Sequence, residues 1–287
     1  MNHFNLFIDL IRLKKPIGFM LLFWPCSWGL TLAYDFASSL QDYFFYLVLF
    51  FLGSVLMRSA GCIVNDIFDK DFDTKVSRTK KRPIASENIT VKLGIIYTLI
   101  LCFFALLILL NFNLFTIILA LGSMPLAFTY PLMKRFTYWP QLFLGITFNY
   151  GLILGWTAVT GKIDIIIIVF YFGAIFWTLG YDTIYGYQDI KDDEIIGLKS
   201  TSIKFKNKPY TLLFLCYSIF LLSLIIIGYF MELNQFSLLV FIFLLIQMYY
   251  FQLNKLDIDN PSSCLRIFKS NNYLGFIVLF GLLIGKI

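Results

Sequence analysis

The chain alternates between long apolar runs and short polar segments. Nine runs stand out, at residues 17–34, 43–64, 91–110, 114–130, 139–159, 164–184, 211–231, 235–253 and 272–286. A helix needs about 20 mostly apolar residues to cross the hydrocarbon core of a bilayer, and these runs are of that order. The longest polar segments, about 25 residues, leave no room for a soluble domain. The pattern therefore predicts an all-α membrane protein, nine transmembrane helices in a single bundle, with 1–287 forming one polytopic domain.

The polar segments fall into two kinds. "DFASSLQD", "NFN", "TGKI" and "ELNQ" are short and plain, while the segments alternating with them carry nearly all the charge. Lys and Arg are retained on the cytoplasmic side of a membrane. Counting from a cytoplasmic N-terminus, that side receives Arg12, Lys14, Lys15 and the loops at 65–90, 131–138, 185–210 and 254–271. With Arg58 and Lys92 at helix ends, only Lys162 and Lys286 of the 23 basic residues fall opposite. The asymmetry supports an odd number of spans and a cytoplasmic N-terminus, and it places function on the cytoplasmic side.

Composition agrees with a bilayer protein. The 287 residues are 59% hydrophobic and only 14% charged, with a mean hydropathy of +0.80, which a soluble domain of this length does not reach. The net charge of +6 reads as a topology and anionic-lipid signal. No nucleic-acid footprint is present. Cys26, Cys62, Cys102 and Cys216 lie in apolar runs and Cys264 in a loop, without paired metal-type spacing, so free thiols are expected. Sixteen residues precede the first run and show neither a cleavable signal nor a long Arg/Ser-rich presequence. The location expected from this is a bacterial inner membrane, with the site facing the cytoplasm.

The candidate chemistry lies in "CIVNDIFDKDFDTKVSRTKKRPIAS", Cys62 to Ser86. If the second helix continues past Cys62 at about 100° per residue, Asn65 and Asp69 are about 40° apart and Asp66 and Asp73 about 20°. These four would share one broad face. Crowded oxygen ligands repel one another at the edge of a low-dielectric region, and a hard cation relieves that. Mg²⁺ fits, because it binds a few carboxylates together with substrate phosphates. A second acidic cluster, "DIKDDE", follows the sixth helix. Asp189 and Asp193 are spaced i, i+4, Asp182 lies seven residues earlier on nearly the same line, and Asp192 is a spare or a solvated neighbour. Both clusters emerge on one side of the membrane, so they can converge to clamp a diphosphate between two cations.

Basic groups have a part in such a site. Arg82, Lys134 and Arg135 are candidates for binding phosphate oxygens; Lys80 and Lys81 are equally well read as positive-inside anchors. Arg58 lies seven residues before Asn65, on the same face and about 10 Å deeper. An ionisable group at that depth is by default a site candidate. It either neutralises the aspartates or binds the carboxylate of an acidic substrate, and Arg12 is the second candidate for that carboxylate. Tyr130, in one segment with Lys134 and Arg135, is grouped with them at the diphosphate. Tyr130, Tyr185 and Phe68 could also lay π-faces against a carbocation. His3, the single histidine, reads as incidental.

With these residues in place, the chain resembles the UbiA-type intramembrane prenyltransferases, and within them the branch that prenylates 4-hydroxybenzoate. "RLKKPIGFMLLFWP", "MRSAGCIVNDIFDKDFD", "SRTKKRPIAS", "YPLMKRFTYWPQLFLG" and "YDTIYGYQDIKDDEIIGLKSTSIKF" carry the likeness, in that order along most of the chain. The family's NDxxDxxxD pattern falls on Asn65, Asp66, Asp69 and Asp73, and its second aspartate motif on Asp189 and Asp193. Asp71 is an additional acid, and "ASEN" replaces the glycine-containing end of the usual "RPLxSG" segment. The resemblance implies that Mg²⁺ held by both clusters binds the diphosphate of a polyprenyl donor, whose tail lies in an apolar channel open to lipid. It implies transfer to the ring carbon ortho to the hydroxyl of an aromatic acid; Asp182 or Asp189 is the candidate for assisting phenol or ring deprotonation. Sibling acceptors, dihydroxynaphthoate or homogentisate, remain alternatives, and an anion or lipid transporter is the rival from another class.

Overall fold

The computed structural model describes residues 2–76 and 78–286, and among the described residues every regular element is helical. Ser77, within the "SRTKKRP" segment, lies outside them. The long helices among the described residues are α1 (Ile17–Ala33), α2 (Leu40–Phe68), α3 (Val91–Leu109), α4 (Leu114–Thr129), α5 (Pro140–Thr160), α6 (Ile165–Gly186), α7 (Pro209–Phe230), α8 (Gln235–Leu245) and α9 (Pro261–Lys286). A π-helical segment, Ile246–Leu253, prolongs α8.

With α4 counted on to Phe136, α6 to Ile196 and α8 to Leu253, eight of these helices are long and apolar enough to cross a membrane, so the chain is a multi-pass membrane protein. The ninth expected span is α1, whose 17 residues rise only about 26 Å, short of the ~30 Å hydrocarbon core. It is the axis of the bundle, buried from Leu21 to Leu32 except for one intermediate position at its start. Side-chain caps fix where many helices begin: Ser39, Thr90, Asn113, Asp164 and Asn234 accept hydrogen bonds from backbone N–H groups at the starts of α2, α3, α4, α6 and α8.

α1 packs most extensively against α5, and small residues permit the approach. A Cβ on Gly29 would sit 2.0 Å from the Leu152 carbonyl oxygen, and one on Gly155 would sit 2.2 Å from that of Cys26. Helices in lipid gain association energy from such close van der Waals contact. Around this pair, α2 packs on α3, α6 joins α5 to α7, and α9 closes against α1, α6 and α8.

Two features depart from the hydropathy pattern. α9 begins at Pro261, where the apolar run starts only at 272. Part of its polar first half turns into the protein, where Asn271 accepts from Trp177 Nε1 at 2.9 Å and Asn272 from Trp24 Nε1 at 3.0 Å, while Arg266 and Lys269 stay exposed. The N-terminal segment also forms a short helix, His3–Leu10, that packs Leu10 and Ile11 against Ala60, Ile63, Ile84 and Ile89.

Candidate active site

α2 carries Asn65 and Asp66 in its last turn, stops at Phe68 with Asp69 as its cap residue, and is followed by a four-residue helix, Lys70–Asp73. The single unbroken helix expected from periodicity is therefore interrupted at Asp69, but the shared face survives. Asp66, Asp69 and Asp73 are 1%, 2% and 6% exposed, while Asp71 points to solvent. Buried carboxylates require compensation, and cations from three other segments supply it. Arg12 Nη2 reaches Asp66 at 2.5 Å. Arg82 Nη1 lies between two acids, 3.1 Å from Asp66 and 2.7 Å from Asp73. Lys134 Nζ donates to Asp69 Oδ2 at 2.5 Å. Even so, burial pushes the Asp73 carboxyl above its ordinary range against the pull of Arg82.

The second cluster meets the first. α6 ends at Gly186, a 3₁₀ turn spans Tyr187–Asp189, and a new helix, Ile190–Ile196, starts with Asp189 as its cap. The continuous helical line expected through Asp182, Asp189 and Asp193 is thus broken by a bend. Asp189 turns toward the loop behind the first cluster, where Arg78 grips both of its oxygens, through Nε at 2.8 Å and through Nη2. Arg78 also donates to the Tyr185 hydroxyl at 3.2 Å. Lys134, bound to Asp69, lies close enough to Asp193 to attract its carboxylate, and its carbonyl accepts from Lys199 N–H at 2.9 Å. The two acidic groups consequently occupy one end of the bundle, with Lys134, ion-paired to Asp69, between them.

Some candidate residues lie elsewhere. Arg135 Nη2 donates to the Phe68 carbonyl at 2.5 Å and stacks its guanidinium over Phe72, so it holds the end of α2 and touches no carboxylate here. Lys80 and Lys81 are exposed. Arg12, a candidate for the substrate carboxylate, is taken by Asp66. Arg78, bound to Asp189, is the residue at the acidic end that sequence reading passed over; its signal was membership in the same basic segment as Arg82.

Below the acids, α1 to α5 enclose an apolar channel. Arg58, Tyr130 and Phe148 stand at its head, and Leu49, Phe50 and Phe112 at its far end, where the Phe50 and Phe112 rings are 4.8 Å apart. Gly18 makes room for Arg58, because a Cβ there would lie 2.7 Å from Nε. Arg58 stacks over Phe148, yet among the described residues its buried Nε has no hydrogen-bond partner. Asp182, half-buried on α6, and the Tyr130 hydroxyl lie within its electrostatic reach.

The acidic end fits a hard cation. Asn65 Oδ1 and Asp69 Oδ1 are buried acceptors without a hydrogen-bond partner among the described residues, an arrangement that loses stability unless a donor or cation arrives. Among the described residues no three acidic, thiol or imidazole groups are already gathered as a cage; the carboxylates face the chain's own cations instead. All the available donors are oxygens, the type Mg²⁺ takes.

A profile of the UbiA prenyltransferase family matches residues 22–279. The chain belongs to this family. It is 42% identical over 284 residues to the mitochondrial 4-hydroxybenzoate polyprenyltransferase of Bos taurus, covering 98% of this chain and 75% of that protein. The counterpart from Arabidopsis thaliana is also 42% identical, over 98% of this chain and 68% of its own. Solved UbiA folds superpose along nearly the whole length. An apo UbiA homolog from Aeropyrum pernix K1 gives a TM-score of 0.73 at 20% identity, covering 93% of this chain and 97% of that one. A UbiA homolog from Archaeoglobus fulgidus bound to GPP and Mg²⁺ gives 0.70 at 17%, covering 97% and 99%.

Proposed function

We propose that this UbiA-family chain transfers a polyprenyl group from polyprenyl diphosphate to the ring carbon ortho to the hydroxyl of 4-hydroxybenzoate, releasing diphosphate, in ubiquinone biosynthesis. The observation that carries this is the position of Lys134, ion-paired with Asp69 and bearing on Asp193, between two acidic clusters at the mouth of an apolar channel headed by Arg58, whose Nε has no hydrogen-bond partner among the described residues. Relatives of that activity at 42% identity support the choice of acceptor. Residues 1–287 work as one polytopic unit in this reading.

Asn65, Asp66, Asp69, Asp73, Asp189 and Asp193 would hold Mg²⁺, which when bound supplies Lewis-acid neutralisation of the diphosphate. Arg78, Arg82 and Lys134 present N–H donors to phosphate oxygens, with Tyr130 at the channel head. The allylic C–O bond breaks and its electron pair leaves with the diphosphate. Channel walls such as Phe148 and Met57 exclude the water that would quench the allylic cation. Arg58 sits close to a second guanidinium, Arg12, whose partner is Asp66; its free Nε suits the acceptor's carboxylate. With Asp189 gripped by Arg78, Asp182 is the carboxylate left to take the ring proton after the ortho carbon has attacked.

The finer location belongs to the same proposal: a bacterial inner membrane with the site on the cytoplasmic face, supported by the bias of basic residues to one side. Membranes expressing the chain, given labelled polyprenyl diphosphate and a panel of aromatic acids, test the reaction. The expected product is prenylated 4-hydroxybenzoate, formed only with Mg²⁺. Exclusive product from dihydroxynaphthoate or homogentisate would reassign the acceptor, and solute uptake without diphosphate release would indicate a transporter.

A further inference from the structure

A second apolar groove lies on the outside of the bundle, between the start of α5, the later half of α6 and the first half of α7. Its walls include Trp139, Phe176, Leu179, Phe205, Leu215 and Ile219. Leu215 is 52% exposed, so the groove faces the surrounding lipid. From Lys208, the cap of α7 at its mouth, to Ile219 at its depth is eleven residues, or about 16 Å at 1.5 Å per residue. That is half of a ~30 Å hydrocarbon core, the depth of one leaflet's acyl chain.

The mouth is cationic. Lys208 lines the groove, and Lys204 Nζ lies 4.7 Å from the centre of the Trp139 ring. Among the described residues neither lysine has a carboxylate within 4 Å, whereas their neighbour Lys206 is paired with Glu194 at 2.6 Å. An indole at this level suits the boundary between hydrocarbon and headgroups. Two uncompensated ammonium groups above an apolar slot complement a ligand with one anionic head and a hydrocarbon tail; a zwitterionic lipid would bring its own cation toward the same lysines.

We propose that this groove binds one anionic phospholipid from the leaflet on the side of the basic loops. One acyl chain lies against Phe176, Leu179 and Ile219, and the phosphate meets Lys204 and Lys208. The site is separate from the prenyl-transfer centre and independent of its acceptor.

Native mass spectrometry of the purified full-length chain, offered phosphatidylglycerol or phosphatidylcholine in detergent, tests this. One phosphatidylglycerol per chain should be retained, in about tenfold preference to phosphatidylcholine. Lys204→Gln with Lys208→Gln should lower phosphatidylglycerol affinity by about thirtyfold, from the loss of two cationic contacts at an anionic headgroup, and leave phosphatidylcholine retention unchanged. Ile219→Trp, which fills the slot, should abolish retention of both. Unchanged phosphatidylglycerol retention in the lysine variant would overturn the proposal. So would equal retention of the two lipids, displacement by inorganic phosphate alone, or a two-chain mass in place of the lipid adduct. Should Ile219→Trp fail to fold, the surface lysine variant decides.

Discussion

Arg58 is the residue whose role is most open to a direct test. Its buried Nε has no partner among the described residues, and a planar guanidinium can hold a carboxylate through two parallel hydrogen bonds where an ammonium cannot. Arg58→Lys should raise the KM for 4-hydroxybenzoate by about 10- to 100-fold, the loss of a charge-assisted bond, with the KM for the prenyl donor unchanged. An unaltered KM for the acid would move Arg58 to a purely structural part. Arg78→Gln should act on the other substrate, lowering kcat/KM for the prenyl diphosphate by about tenfold or more in steady-state assays. Helical phase made part of this legible in advance: Asp66 and Asp73, placed about 20° apart, do share Arg82. Arg78 was passed over because it lies in an irregular loop with no helical phase to single it out within its basic segment. The pairing of Arg12 with Asp66 was unreadable for a related reason. Arg12 has a left-handed φ of 54°, which L-residues seldom adopt, and no pattern announced that turn toward Asp66.

Helices are held at their closest where side chains are smallest. At Gly155 a Cβ would stand 2.2 Å from the Cys26 carbonyl, whereas one on Gly122 would meet nothing within 4 Å. Gly155→Leu should therefore destabilise the α1–α5 pair by about 3 kcal/mol, through overpacking that neither backbone can relieve. Gly122→Leu, as the control, should melt near the parent in a detergent thermal scan. Equal melting of the two variants would contradict this picture of the bundle axis. Element positions were legible to within a few residues wherever polar and apolar segments alternated cleanly. They were not where polar side chains are spent inside the protein: Asn271 and Asn272 made the first half of α9 look like a loop, though both accept from buried tryptophans. α2 likewise outran its apolar run to Phe68, because the buried Asp66 is neutralised by Arg12 and Arg82.

On the scale of the whole molecule, the bundle brings an apolar channel and a ring of opposed charges to one end. The all-helical, multi-pass architecture was legible from hydropathy; the short α1 was not separable from a full span, because packing rather than length decides that it lies at the centre. Chelating divalent cations from purified protein with EDTA should abolish product formation, and added Mg²⁺ should restore it; full activity after chelation would remove the metal from the account. The central claim is that the two acidic clusters act as one centre, and a double-mutant cycle on Asp69 and Asp189 tests it most directly. Prenyl transfer is measured in membranes carrying equal amounts of Asp69→Ala, Asp189→Ala and the double variant. Each single change is predicted to lower kcat/KM by about 1,000-fold, and the double variant is predicted to be little worse than either, as expected of groups that work as a unit. Near-parental activity in either single variant, or losses that simply multiply in the double, would contradict it.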